Sequence, residues 1–482
     1  MLADIAESPP LNHRRDASFY LVLFFFVGPI WSVVPASWAY LLYIVYYWNS
    51  IVYTRNSLVL LVLAVCEVLF SIYYVALTRQ ISGPPPVSSS DVVELQQAFK
   101  RVLQSGLVPL PDDGGDEEYF ATGRPGSPDA IIEQLEKSDP RAVDFRHKLR
   151  TWFGKVPWSQ VRLVHFHQWL YWSTFNAVLP RKEDIPATHR VVLDEATELL
   201  EKRIGCKIPV GENPSTVGVV SFYFEYLVHM PIGYNRATGP DPVVFLHGLG
   251  LGVFQYQRVL QHLLNELSDI PLLIPLQPQI SQDIFHPRFL RPMLKHEKVA
   301  NLKAVLDNLG WAGPSVDSRY GVTILSHSNG SYSHAWMLKA APEIVKRSCF
   351  VDPVTFCSWE GDVCYNFVYR QCATGIELVI RYFVGTELGV ANLLQRHFDW
   401  LSNTLWFEEI PNARDSSRTL FLLGGKDSIV DAERVKKYLK SHGVKDGLWY
   451  DPNGRHGQAL LVGAQGINKV LEWIKDNSYT KN

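Results

Sequence analysis

The sequence predicts an α/β fold: a mostly parallel sheet with helices on both faces and a helical cap, preceded by an N-terminal membrane segment and a helical region. Three observations carry this expectation. From about residue 216, short β-rich runs alternate with helical ones: VSFYFEYLVHMP, DPVVFLHGLG, PLLIPL, YGVTILSHSNG, SCFVDPV, RTLFLLGGKD and GLWYDPNGRHG. Strands separated by helices need crossover connections, and these place helices on both faces of a parallel sheet. The chain of 482 residues is long enough for a large core, and its 47% hydrophobic and 20% charged content suits a globular protein with some membrane segment. The third observation is a pair of long apolar runs near the N-terminus.

The first run, about 17–48, is nearly all apolar or aromatic, and the second covers about 57–77. A hydrocarbon core of ~30 Å needs about 20 helical residues, so the second run fits one span. The first is too long for one upright helix. Pro29 and Pro35 allow one tilted span, a re-entrant hairpin or two short spans. A signal peptide fits poorly, because its apolar core is only about 7–15 residues long. Glu67 falls in the middle of the second run, where an ionisable group usually faces protein or water. With two spans the large C-terminal part returns to the side of Arg14 and Arg15, which the positive-inside rule places in the cytoplasm. Three spans reverse this. Residues 1–80 thus read as an integral anchor, with the endoplasmic reticulum or another endomembrane as the expected location.

Residues 81–90 form a Pro/Ser linker that cannot build a core. From 91 to 215 the pattern is helical, with helices expected near 128–137, 140–152, 158–178 and 189–203. The third carries Phe166, Trp169, Tyr171, Trp172 and Phe175, a stripe suited to packing on a core, on the catalytic part or on lipid. PDDGGDEE at 111–118 is a polar break.

Net charge is -2 with no long basic run, which excludes nucleic acid as the main partner, since phosphate binding needs clustered Lys and Arg. Six cysteines stand at 66, 206, 349, 357, 364 and 372. Their spacing lacks paired CxxC or a nearby HxxxH, so no metal site is expected. Free thiols in a reducing compartment are the simpler reading.

Four segments carry chemistry. In GVTILSHSNGSYSHAWML, 321–338, an apolar strand runs into Ser-His-Ser-Asn-Gly and then into a helical pattern. In VVFLHGLGLG, 243–252, His-Gly follows an apolar strand. TLFLLGGKDSIVD, 419–431, ends a strand in Gly-Gly-Lys-Asp. GLWYDPNGRHG, 447–457, places His456 in a loop after the last strand. These segments resemble the α/β-hydrolase superfamily, in particular its membrane-anchored and lipase- or esterase-like serine hydrolases. The resemblance covers about 216–476.

The resemblance implies a nucleophile elbow with Ser328 as nucleophile, although Ser326 stands where the family usually has Gly. It implies His456 as general base and Asp427 as the acid that orients it, with Asp352 and Asp431 as alternative acids. It implies an oxyanion hole from the amides of Leu249 and Asn329. The order Ser328, Asp427, His456 is the family's order. His247 reads as a structural loop residue, and His327, His334 and His442 are lesser candidates for the base. His327 is expected to be turned away from the site. Residues 353–417 match the family's cap insertion, rich in aromatics, and 276–292 forms a second rim. The expected activity is hydrolysis of an ester with a hydrophobic, lipid-like acyl group, with no cofactor. An acyltransferase or thioesterase on the same triad and a non-catalytic membrane scaffold that keeps the fold are the alternatives. Protein partners stay open.

Overall fold

The computed structural model describes residues 14–47, 54–83, 92–104, 132–175, 177, 179–180, 184–208, 224–313 and 320–476. Most of the Pro/Ser linker, the polar break at 111–118 and the first part of the strand run at 220–231 lie outside the described residues.

Seven strands form one sheet: β1 (Tyr226–His229), β2 (Val243–Leu246), β3 (Leu272–Pro275), β4 (Val322–His327), β5 (Val345–Val351), β6 (Thr419–Gly424) and β7 (Leu448–Asp451). Their spatial order is β1-β3-β2-β4-β5-β6-β7. Only β1 runs antiparallel to its neighbour, β3; the other five pairings are parallel. The strand at the centre, β4, is the one that leads into Ser328.

Successive side chains of a strand point to opposite faces, and the two cores follow that alternation. Val243, Phe245, Leu325, Cys349, Val351 and Leu422 pack under the helices Gln257–Glu266 and Gln465–Lys475. Val244, Leu246, Ile324, Phe350, Phe421 and Leu423 pack under Lys295–Asn308, Gly330–Ala340 and Ala432–Ser441.

The helical region joins this second core. Phe99, Leu149, Phe166, Trp169, Leu193 and Leu200 belong to the same buried cluster as Ile324 and Phe421. Its helices are Val92–Gln104, Pro140–Leu149, Leu163–Phe175 and Ala187–Ile204. The helix expected near 128–137 does not form over 132–137, where the chain is irregular; there Leu135 N instead bonds Lys202 O at 3.0 Å. The aromatic stripe meets the segment between β5 and β6: Trp169 stacks on Trp400 at 6.1 Å and Trp172 on Phe398 at 6.3 Å.

Ion pairs fix this region to the sheet domain. Lys148 Nζ lies 2.9 Å from Asp431, 3.2 Å from Asp362 and 3.5 Å from Glu360. Arg434 bridges Asp144 at 3.0 Å and Glu360.

Two helices, Ala17–Tyr46 and Arg55–Gln80, are long and apolar enough to cross a membrane, with mean hydropathy 2.0 and 2.5 over their most apolar stretches. The first is continuous through Pro29 and Pro35, without the break that a hairpin or two short spans would need. A π turn at Leu23–Val27 precedes Pro29, and such a turn shifts the hydrogen-bond ladder where proline interrupts it. At 30 residues the helix is ~45 Å long, from a rise of 1.5 Å per residue, which exceeds a hydrocarbon core of ~30 Å. Trp38 Nε1 donates to Ser71 Oγ across the pair at 3.1 Å. Both helices dock on the sheet domain's rim. Phe26 meets Phe383 and Trp31 meets Tyr382, each at 5.8 Å, while Tyr73 stacks on Phe285 at 5.4 Å.

Candidate active site

The chain leaves β4 at His327 and enters the helix Gly330–Ala340 after only two residues. Ser328 sits in that turn with φ of 52°, a left-handed backbone that costs a non-glycine residue of order 1–3 kcal/mol and persists where the surroundings enforce it. Here Ser328 N donates to Val351 O at 3.1 Å, and Ser331 N donates to Ser328 O at 2.9 Å. Gly330 is required by close approach: a β-carbon there would overlap the carbonyl of Leu246. The turn is thereby pressed against the loop that follows β2.

Three side chains from three strand ends meet above this turn. His456 Nε2 lies 2.8 Å from Ser328 Oγ, and His456 Nδ1 lies 2.5 Å from Asp427 Oδ2. With the Nδ1 proton held by the carboxylate, Nε2 is the acceptor for the serine hydroxyl. Asp427 Oδ1 is fixed in turn by the amides of Ile429 at 2.7 Å and Val430 at 3.0 Å. A mostly parallel sheet carries a strained serine turn at the end of its central strand, a carboxylate after β6 and an imidazole after β7.

This is the α/β-hydrolase fold.

Solved structures similar to this chain include MGS-MChE2, an alpha/beta hydrolase from the metagenome of sediments of the Mar Chica lagoon in Morocco (18% identity, 53% of this chain and 96% of that one, TM-score 0.30). They also include the monoacylglycerol lipase of Paleococcus ferrophilus (14%, 52% and 98%, TM-score 0.31) and MGS-M2, an alpha/beta hydrolase from a Medee basin deep-sea metagenome library (16%, 52% and 93%, TM-score 0.37). No model of a protein family and no curated protein matches the sequence.

Within the hydrolase fold the remaining candidates take distinct places. Asp352, at φ 42° after β5, is buried. Its Oδ1 accepts from Gly424 N at 2.9 Å and its Oδ2 from Gly457 N at 2.7 Å. It touches backbone amides, and the imidazole's Nδ1 is taken by Asp427. Burial pushes the Asp352 carboxyl up to about 6; nearby Asp427 adds to this and His456 opposes it. Asp431 caps the helix Ala432–Ser441 through Arg434 N at 3.2 Å and pairs with Lys148, so it serves the domain junction. For His456, burial alone would lower the pKa, but the carboxylates of Asp427 and then Asp352 outweigh it and raise the net value.

Asp352, Asp427 and His456 offer donor atoms within 4.8 Å of one another, a spacing that can hold a cation. Each carboxylate oxygen already accepts from an amide or from the imidazole, so the cluster's charge is met by the protein itself.

The amides of Leu249 and Asn329 donate to no group among the described residues. The loop carrying Leu249 lies against the serine: a β-carbon on Gly248 would sit 3.0 Å from Ser328 Cβ.

His327 departs from expectation. Its ring is not turned clear of the site but lies 5.2 Å from the His456 ring, because Tyr256 OH holds its Nδ1 at 2.5 Å. Tyr256 OH also accepts from Gly248 N at 3.0 Å. Burial and the facing imidazoles of His456 and His247 hold His327 well below the ordinary histidine value. His247 is buried with Nδ1 2.9 Å from Gly248 O, and burial lowers it to about 4. His442 Nδ1 contacts Tyr438 O at 2.7 Å, inside its own helix turn. His334 explains the elbow's departure from Gly: its Nδ1 meets Ser326 Oγ at 2.9 Å and its Nε2 meets Ser348 Oγ at 3.0 Å. Sequence reasoning missed Tyr256, which lies in a short helix after β2 and carries no motif.

Proposed function

We propose that this protein is a membrane-anchored serine hydrolase that cleaves an ester with a hydrophobic acyl group. The observation that carries the reading is the line from Ser328 Oγ through His456 to Asp427, at 2.8 and 2.5 Å. In this reading His456 Nε2 takes the Ser328 proton as the alkoxide attacks the ester carbonyl. The leaving alcohol then receives that proton from the imidazolium, which Asp427 stabilises. Water, deprotonated by the same imidazole, attacks the acyl-serine and releases the acid. The two unengaged amides, Leu249 and Asn329, are the donors for the oxyanion, one of them at the start of the helix Gly330–Ala340.

Docking of both apolar helices on the cap and on the 276–292 rim favours a lipid-like substrate. It brings the mouth of the fold next to the segments that would lie in the bilayer, so an ester could enter without crossing water. Two passages would leave the sheet domain on the side of Arg14 and Arg15.

The test is labelling of the purified full chain by a fluorophosphonate. Labelling of the native protein with none in Ser328→Ala is expected. Undiminished labelling of Ser328→Ala would remove Ser328 as nucleophile. A rate that does not rise from short soluble esters to long-chain esters would remove the lipid-like substrate and leave the serine chemistry standing.

A further inference from the structure

The two apolar helices do not stand apart from the sheet domain. On the first, Phe26 meets Phe383 and Trp31 meets Tyr382, each at 5.8 Å. On the second, Phe70 at 6.4 Å and Tyr73 at 5.4 Å both pack on Phe285, and Tyr73 OH donates to Ile284 O at 3.1 Å. Gln282 Nε2 donates to Phe383 O at 2.6 Å, so the two contact points belong to one edge of the domain.

Helix length sets the level of this edge. The helices follow one another through their Tyr46 and Arg55 ends. At about 1.5 Å per residue, Trp31 stands ~22 Å from the first of these ends and Phe70 ~22 Å from the second. A hydrocarbon core is ~30 Å thick, so a passage that starts at these ends is still inside it at Trp31 and Phe70. Tilt shortens the distance along the bilayer normal and carries the contacts deeper. Less than a full core remains on the free side of the contacts, so the helices cannot cross a bilayer while the domain stands clear of it. The side chains fit that level. Phe24, Phe25, Leu69 and Ile72 are exposed on the docked stretches, and Phe285 is 73% exposed despite its two aromatic neighbours. Arg15 and Arg79 are exposed at the opposite ends of the helices, where lipid headgroups would begin.

We propose that the edge formed by 282–285 and 382–383 is seated among the acyl chains of one leaflet, so that the sheet domain is held in the bilayer surface rather than above it. Lipid is the occupant because the edge is continuous with helices whose own exposed faces are apolar. The inference rests on the membrane-anchor part of the proposed function and is independent of the triad. It bears on the site all the same. Gly252, in the loop that follows Leu249, packs on Ser281 beside this edge, and Gly248 of that loop lies against Ser328. Leu251 and Phe254 of the same loop are exposed. Apolar surface thus runs from the immersed edge toward the serine turn.

The experiment uses the full chain in bilayers of an ether-linked phosphatidylcholine, which an esterase cannot cleave, with a diazirine midway along one chain. Irradiation is followed by peptide mapping. Adducts are expected on 282–290 and 381–385 as well as on 17–80. Adducts confined to 17–80 would overturn the seating and leave the anchor. Adducts on none of these segments would remove the anchor and the proposal with it. Phe285→Asp should lower the adducts on 282–290 about 5-fold or more, because a carboxylate is costly at hydrocarbon depth. Phe285→Leu should keep them. Equal adducts in Phe285→Asp and the native protein would overturn the proposal. Blocking Ser328 beforehand with a fluorophosphonate should leave the adducts unchanged; their loss would mean that the lipid was held in the active site, and the proposal would fall. Absence of fluorophosphonate labelling would remove the triad and leave adducts on the edge as support for the seating.

Discussion

Asp352 holds the amide of Gly457 at 2.7 Å, and that one bond fixes the residue after His456. The other oxygen of the same carboxylate holds Gly424 N, at the end of β6, three residues before Asp427. One buried carboxylate therefore ties the acid loop to the base loop. In Asp352→Asn the carboxamide keeps one acceptor oxygen and sets an N–H against the second amide. Leaving a buried donor unmet costs about 1–3 kcal/mol, so the melting temperature should fall. Activity should fall about 10- to 100-fold as the loops loosen, on the scale of about 1.4 kcal/mol per tenfold. Asp427→Asn should cost more, roughly 10⁴ in kcat, because it loses the tautomer that faces the serine. Ester hydrolysis by the two variants, normalised to folded protein, ranks them, and a larger loss in Asp352→Asn would exchange the roles.

The pH profile carries a second expectation. His456 must be neutral to accept the Ser328 proton. Burial lowers its pKa, Asp427 and Asp352 raise it, and the net value lies above 6.5. The rate of labelling should therefore rise with pH through a midpoint above 6.5. Asp352→Asn should move that midpoint down, since one of the two carboxylates is gone. Stability follows in a defined sense. The Asp352 carboxyl, raised to about 6 from 3.8, keeps its proton in the folded state while the unfolded chain has lost it. Its favourable contribution is full below 3.8 and is lost as pH rises to about 6. Melting curves of the native chain and of Asp352→Asn should thus converge between pH 4 and pH 6. Divergence over that window would contradict the assignment.

Much of the candidate site was legible because each motif is local. The strand-to-turn-to-helix pattern around Ser328, the Gly-Gly-Lys-Asp after a strand and the late loop histidine are each written in a few adjacent residues. What was not legible depends on partners far along the chain. Asp352 reads as a possible acid until Gly424 and Gly457 are seen on its two oxygens. The aromatic stripe at 166–175 reads equally as core, lipid-facing or docked until Trp400 and Phe398 are seen against it. Pro29 and Pro35 read as helix breaks, but a π turn and a long apolar neighbour keep the helix whole.

The serine at 326 offers a third test. Restoring the glycine usual at an elbow would ordinarily relieve crowding. Here Ser326 Oγ meets His334 Nδ1, whose other nitrogen meets Ser348 Oγ. Burial lowers His334 to about 3, so the ring is neutral and needs both partners. Ser326→Gly should destabilise by about 1–3 kcal/mol, the cost of a buried polar atom left unmet. For a domain of this size that is a fall of several degrees, at about 2–4 °C per kcal/mol. Differential scanning calorimetry checks it, and an unchanged or higher melting temperature would show that the Ser326–His334–Ser348 chain contributes nothing.

Lys148 supplies the last prediction. It stands on the helix Pro140–Leu149 of the helical region, yet its three carboxylate partners, Glu360, Asp362 and Asp431, lie after β5 and β6 of the sheet. Burial opposes its charge, and the three carboxylates more than restore it, so its pKa lies above the ordinary lysine value. Lys148→Met removes one positive charge from a cluster in which Glu360 is buried while Asp362 and Asp431 are part-exposed, so Glu360 loses most and is left to Arg434, which also pairs with Asp144. Breaking a buried pair from one side costs about 3–5 kcal/mol, more than such a pair contributes net, because a charge is stranded. The loss should reach the Asp427 loop as well, since Asp431 caps the helix that follows the Asp427 turn. Thermal unfolding should therefore shift down in Lys148→Met, with lower esterase activity even below the transition. Adding Asp431→Asn to Lys148→Met should recover part of the melting temperature, because one stranded charge is removed while the carboxamide oxygen still caps Arg434 N. If the second substitution only adds to the damage, the cluster is held by packing rather than by charge balance.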